Sequence, residues 1–343
     1  MSRAQLTSTV EQSSGGVVAP FLAGKNKIIN GDFSVWQRGT SFSNPAINAY
    51  TADRIIQGNN ASGVAFVDSQ QVFTPGTAPV AGYESAYFYR RNVTTAGSGG
   101  QYNFIQQRIE DIRTLAGQTV TFSFWAKADS ARTVSVSLTQ NSGSGGTGGA
   151  NFNSSNITLS TAWTRYSITT TLTSLSGVTI GTSSYLAVVL NMPINTTMTI
   201  DTWGWQVEAG SVATPFTTAS GTLQGELALC QRYYQRINNN PSGYGGFGSG
   251  FASATTNVRI DCFLPVQMRA LPSAIDYSTL SSTFSLFNGT AQFTPSAITY
   301  NSNESYVNIV HLDFTVSGAT QYAPFKGFFQ AASAGYIGFS AEL

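Results

Sequence analysis

A chain of 343 residues is long for one domain and suits two, at about 150 residues each. Only 10% of the residues are charged, and the formal net charge of +1 leaves no long-range field of the kind that gathers polyphosphate, so a nucleic-acid partner is not expected. Cys230 and Cys262 are too few for a disulfide framework and form no Cys-x-x-Cys pair, so both read as buried small hydrophobes.

In chain order, residues 1–25 are polar and then small-apolar, without a period that could fold alone, and are expected to be an arm that orders against another surface. They lack the apolar centre of a secretory signal, and nowhere do about 18 apolar residues follow one another, so synthesis in a cytoplasm without membrane insertion is expected. From Ile28 the chain reads Ile-Ile-Asn-Gly-Asp-Phe-Ser-Val-Trp, a short strand into a turn, as many carbohydrate-binding jelly rolls begin. Apolar–polar alternation then marks strands at Gly63–Asp68, Tyr83–Arg90, Tyr102–Arg108, Thr119–Ala128, Thr133–Thr139, Trp163–Thr171, Tyr185–Leu190 and Thr197–Val207. So many short strands between Gly, Asn and Ser turns imply a two-sheet jelly-roll sandwich over residues 26–218. In the strand from Thr119, Val120, Phe122, Phe124 and Ala126 share one face, while Thr121, Ser123, Trp125 and Lys127 share the other. The Phe face is expected in the core. In the last strand the same alternation sets Trp203 and Trp205 on one side.

From Thr222 the period becomes helical, with Leu223, Leu227, Cys230 and Tyr234 on one stripe and Leu229, Tyr233 and Ile237 on a second, a helix of about 15 residues. Residues 219–240 are therefore read as helix and linker. Residues 241–343 return to strands at Phe251–Ser253, Asn257–Pro265, Ala274–Tyr277, Thr283–Asn288, Ala297–Asn301, Tyr306–Val316 and Tyr336–Leu343. The expected fold class is all-β: an N-terminal jelly-roll β-sandwich, a short linking α-helix and a second, C-terminal β-sandwich.

The junction Trp205-Gln-Val-Glu-Ala-Gly-Ser-Val-Ala-Thr-Pro-Phe, followed by Glu226-Leu-Ala-Leu-Cys-Gln-Arg-Tyr-Tyr-Gln and later by Leu264-Pro-Val-Gln-Met-Arg-Ala-Leu-Pro-Ser, resembles tail-fibre and related structural proteins of tailed bacteriophages. The chain departs from that pattern after Asp53-Arg54, where Ile55 replaces the usual Trp. The resemblance implies a virion protein of the particle exterior, attached to other virion proteins through the arm and adhering to a host surface glycan. The second helical stripe needs a partner, so a homo-oligomer through the helix and the C-terminal body is expected, with Phe325, Phe328, Phe329 and Tyr336 near a shared axis; the resemblance implies three copies, a trimer. A head fibre, capsid decoration or tail accessory with a purely structural role is the alternative, and a glycan hydrolase a lesser one.

Enzymatic chemistry is not expected. His311 is the lone histidine and sits mid-strand without a nucleophile motif, and Glu110, Asp111, Asp129 and Asp201 have no spacing that nominates a catalytic pair. Sugar binding fits better, because aromatic rings stack on C–H faces while amides and guanidinium groups reach hydroxyls. The resemblance puts the site on the concave sheet, and strand parity nominates Trp125 with the Tyr102 and Gln106 face, joined by Arg108 and Trp36. The same rings would be needed if they only filled a core. Related modules hold a structural Ca²⁺ between the first turn and the last strand, which here implicates Asp32 and Asp201, although Ser34 stands where an acid is usual. No other cofactor is expected.

Overall fold

The computed structural model describes residues 24–81, 83–148, 153–240, 243–330 and 334–343, so the expected arm lies outside them except for Gly24 and Lys25. The first body is built from β1 (Ser41–Ser43), β2 (Ile55–Asn59), β3 (Ala65–Val72), β4 (Tyr87–Thr95), β5 (Asn103–Glu110), β6 (Thr119–Ala128), β7 (Arg132–Asn141), β8 (Asn153–Leu159), β9 (Thr164–Thr171), β10 (Tyr185–Asn191) and β11 (Met198–Ala209). They pair antiparallel in two sheets, ordered β1-β3-β4-β11-β6-β9 and β2-β5-β10-β7-β8. Alternation explains the sandwich: in β5 Asn103, Ile105, Gln107 and Ile109 are buried, while Phe104, Gln106, Arg108 and Glu110 are half-buried on the opposite face. The inner faces meet in one core that includes Phe66, Ile105, Phe122, Phe124, Leu186 and Trp205.

A buried ion pair lies within this sandwich. The Arg91 guanidinium on β4 donates to both oxygens of Asp68 on β3, from Nε at 2.7 Å and from Nη2 at 2.5 Å. Its Nη1 reaches the other sheet, donating to Asn103 Oδ1 at 2.7 Å and to the Phe104 carbonyl at 3.1 Å.

The sequence pattern places Trp203 and Trp205 together; the structure separates them. Gly204 adopts φ +68° and the pairing of β11 with β6 slips between Trp203 and Gln206, so a bulge turns the strand over. Trp205 enters the sandwich core, and Trp203 packs outside it with Phe73, Phe88, Trp125 and Phe216.

The helix α1 (Leu223–Gln231) is shorter than its periodicity suggests. Thr222 caps its start, accepting from the Gly225 N–H at 3.0 Å. It ends early because Tyr234–Asn238, rich in β-favouring side chains, is taken up as β12 and paired with β21 (Tyr336–Ser340). The face it buries is Glu226 and Cys230, whereas Leu223 is 65% exposed and Leu227 37%. Burial pushes the Glu226 carboxyl pKa up, opposed by hydrogen bonds from the Asn30 N–H at 2.7 Å and the Ser220 N–H at 2.6 Å. Among the described residues no helix is long and apolar enough to cross a membrane.

The second body is a curled sheet region. It contains β13 (Gly246–Ala254), β14 (Asn257–Phe263), β15 (Ala274–Tyr277), the one-turn α2 (Leu280–Thr283), β16 (Phe284–Phe287), β17 (Gln292–Phe293), β18 (Ala297–Tyr300), β19 (Ile309–Thr315) and β20 (Pro324–Phe329). A seven-stranded sheet, ordered β17-β16-β20-β13-β14-β19-β18, packs with the three-stranded sheet β12-β21-β15. Phe325 and Phe329, expected at a shared axis, are buried in this core instead, because β20 turns them inward.

The two bodies are clamped by polar contacts. Glu342 pairs with the buried Arg54 and, at 3.3 Å, with Arg38. Tyr50 Oη and Arg108 Nη1 donate to the main-chain oxygen of Leu343, at 3.0 and 2.6 Å. Glu110 accepts from Arg232 Nη2 and Tyr233 Oη, each at 2.9 Å; burial alone would raise its pKa, but these donors and the nearby arginine charges bring it below the ordinary value.

The bulge is open to test. A Cβ on Gly204 would lie 2.7 Å from Cε3 of Trp125, on a backbone that disfavours side chains. Gly204→Ala is expected to lower unfolding free energy by about 2–3 kcal/mol in a denaturant titration; wild-type stability would contradict the account of this strand.

Candidate functional site

The two outer faces of the sandwich differ. On the six-stranded sheet, side chains from distant segments lie over the strands: Phe73, Trp163, Phe216 and Tyr83 gather on Trp125 and Trp203. Trp125 is only 8% exposed, with its ring 5.3 Å from that of Trp203 and the Arg165 guanidinium 4.5 Å above it. The sequence-based site therefore divides. Trp125 points away from the core, as strand parity predicts, but under a cover that a ligand would have to displace; Tyr102 and Gln106 belong to the opposite sheet.

The outer face of the five-stranded sheet carries an open groove of about 500 Å³. Its floor is Ala187 and Val189 of β10, small enough to leave a trough. Val189 lies across from Gln106 on one side and Ser137 on the other, and Ala187 across from Arg108 and Thr139. Tyr102 and Phe104 stand at one end with ring centroids 5.6 Å apart. Phe104 lies over Gly58 of β2, where a Cβ would come within 2.5 Å of the ring. Tyr185 marks the other end, and the Arg108 guanidinium sits 4.7 Å from its ring centroid. Asn141, Ser154 and Asn191 complete the polar margin. Apolar ring faces beside neutral amides and hydroxyls match the two surfaces of a sugar, its C–H face and its hydroxyl edge.

Of the residues singled out in the sequence, Tyr102 and Gln106 line this groove and Arg108 continues their row. Trp36 does not. Its Nε1 donates to the Phe33 carbonyl at 2.7 Å and its ring stacks on Tyr89, so it is a core side chain. Phe104 and Tyr185 were legible and missed: Phe104 shares its parity with Tyr102 and Gln106, and Tyr185 opens a strand that the alternation marks.

The proposed Ca²⁺ ligands are otherwise engaged. Asp201 receives Arg90 Nε at 2.6 Å and Nη2 at 2.8 Å, with Lys127 at 3.6 Å. Asp32 accepts from Ser34 Oγ at 2.9 Å and Tyr83 Oη at 3.3 Å, and burial raises its carboxyl pKa. A hard cation needs about six to eight oxygens, and a carboxylate already neutralised by two cations is a poor donor. Among the described residues no three His, Cys, Asp or Glu side chains converge as a metal site.

Residues 59–184 match a family described as a carbohydrate binding domain. The matched stretch is a jelly roll of the carbohydrate-binding-module kind. It holds β5, β7 and β8 and ends one residue before Tyr185. A search of curated proteins finds no match to the chain. Among solved structures, a CBM4 structure is similar at 18% identity and TM-score 0.35, over 53% of this chain and 98% of its own. A family 11 carbohydrate-binding module from Clostridium thermocellum, in complex with a mixed-linked tetrasaccharide, is similar at 12% identity and TM-score 0.32, over 51% and 98%. The enzymatically active domain of a bacteriophage CBA120 tailspike protein is similar at 15% identity and TM-score 0.36, over 54% of this chain, which spans only 22% of that one. Likenesses this distant do not extend to activity or ligand.

Burial makes one expectation specific. Trp125→Ala should cost about 3–5 kcal/mol of stability, as removal of a buried large ring does, read as a lowered melting midpoint. An unchanged midpoint would mean that the ring is not packed as described.

Proposed function

We propose that the protein is a non-enzymatic, glycan-binding subunit on the exterior of a tailed-phage particle, and that the glycan lies in the groove of the five-stranded sheet. The observation that carries the binding reading is the contrast between the two outer faces: one is filled by the molecule's own aromatic side chains, the other is an open trough edged by Tyr102, Phe104 and Tyr185. Phe104 lies opposite Asn191, six residues along β10 from Tyr185, which separates the aromatic ends by about 20 Å. That spacing favours an extended oligosaccharide over a single sugar.

The absence of catalysis is part of the proposal. The side chains that line the groove are aromatic, aliphatic, hydroxyl and amide groups, whereas glycoside hydrolysis uses a pair of carboxyl groups across the bond to be broken. The virion setting rests on the sequence resemblance at residues 205–216, 226–235 and 264–273. Assembly into a homo-oligomer belongs to the same reading. Leu223 and Leu227 leave an apolar strip on α1 that a second copy would cover, and several copies engaging one surface turn weak sugar contacts into firm adhesion. Attachment to other virion proteins is assigned to the arm.

Glycan-array screening of the full chain, followed by calorimetry on a retained oligosaccharide, tests the binding site. Tyr102→Ala, Phe104→Ala and Tyr185→Ala should each weaken binding by about tenfold or more, with melting midpoints close to wild type. Retention of no glycan, or full affinity in all three variants, would refute it.

A further inference from the structure

The second body presents an aromatic cleft of its own. It lies on the outer face of the seven-stranded sheet, has a volume of about 310 Å³ and is lined by Tyr244, Phe287, Gln292, Lys326 and Phe328. Strand pairing explains why these side chains meet. Phe287 of β16 lies directly opposite Lys326 of β20, and Gln292 of β17 opposite Phe287, so the three form a row across adjacent strands. Phe328 stands two residues beyond Lys326 on the same face, where it meets Tyr244 edge to face with ring centroids 5.5 Å apart. This face is not covered as the Trp125 face is: Tyr244 is 67% exposed and Phe287 39%.

Three features give the cleft a chemical preference. Its rings are apolar faces of the kind that sugars stack on, and an unoccupied aromatic surface is costly to leave in water. Gln292 is anchored by donating from Nε2 to Ser285 Oγ at 2.6 Å, which fixes an amide at the margin. Lys326 is the one charged side chain of the lining, and its stem lies across Gly246, where a Cβ would sit 3.1 Å from Cε. The ammonium is thereby kept at the cleft, with no carboxylate among the lining residues to neutralise it.

We propose that this cleft is a second saccharide site, specific for a sugar that carries a carboxylate, such as a uronic acid within a surface polysaccharide. The carboxylate pairs with Lys326, the ring stacks between Phe287 and the Phe328–Tyr244 pair, and a hydroxyl bonds Gln292. At the groove of the first body the nearby guanidinium, Arg108, is engaged by the Leu343 main-chain oxygen and the Tyr185 ring, so the two sites would read neutral and acidic portions of a surface. The proposal stands independently of the reading of that groove.

The test titrates the full chain with a panel of uronic-acid oligosaccharides and with the same panel after reduction of the carboxyl groups. Wild-type protein should bind members of the acidic panel, with affinity falling as salt rises, and should bind the reduced panel about tenfold more weakly or worse. Lys326→Met and Phe287→Ala should each lose the acidic ligand by a similar factor while keeping the wild-type melting midpoint, since both side chains face outward. Tyr102→Ala should leave acidic binding unchanged, which separates failure at this cleft from failure at the first groove. No binding to any acidic member, equal affinity for acidic and reduced panels, or wild-type affinity in both cleft variants would overturn the proposal. Self-association abolished by Phe287→Ala, without sugar binding, would assign the cleft to a second copy of the chain and overturn it as well.

Discussion

Arg91 and Asp68 are both fully buried, and Arg91 ties this pair to β5, a strand of the sheet that carries the groove. Removing two charges from water costs several kcal/mol for each, so such a pair is not kept for net stability. Its effect here is on register. Arg91 spans from the six-stranded sheet to Asn103 and to the main chain of Phe104, and so fixes which residues of β5 face inward. A slip of one residue in β5 would turn Phe104, Gln106 and Arg108 into the core and take Asn103 Oδ1 away from the guanidinium. The groove is thus tied to the interior by a contact that tolerates one pairing only.

What distinguishes the two sides of the sandwich is where the aromatic surplus goes. Phe73, Trp163 and Phe216 come from separate segments and converge on Trp125 and Trp203, sealing the outer face of one sheet. The other sheet keeps the small floor of Ala187 and Val189, and its rings stay at the edges. The second body meets the same face at its far end, where Arg108 is held by the Leu343 main chain and Glu110 by Arg232 and Tyr233. Part of the row that strand parity nominated for ligand therefore belongs to the contact between bodies. Arg54 and Glu342 also join the bodies through buried charges.

The sandwich, the Phe122–Phe124 core face and the outward parity of Tyr102, Gln106, Arg108 and Trp125 were legible in the sequence, because alternation along one strand reports side-chain direction directly. What lies over a face is not a property of that strand. The burial of Trp125 depends on Phe73 and Phe216, tens of residues away on either side, and Asp201 meets Arg90 only through the pairing of β11 with β4. Gly204 reversed the parity of Trp205 because a single left-handed residue adds a bulge without changing the apolar pattern. Helical periodicity in Leu223–Ile237 was real over nine residues, and then pairing with β21 outweighed local propensity, as it commonly does for Tyr- and Ile-rich segments. Edge strand β8 was hidden by its polar composition, since little of its sequence, Asn-Ser-Ser-Asn-Ile-Thr-Leu, needs burial.

The most direct measurement is a crystal structure of the full chain grown with a neutral oligosaccharide that the protein retains. The account predicts an extended sugar along the five-stranded sheet, one ring stacked at Tyr102 and Phe104 and the chain running over Val189 and Ala187 toward Tyr185, with the Trp125 cover undisturbed. Sugar seated instead against Trp125 and Trp203, with the Phe73 and Phe216 cover displaced, would contradict it.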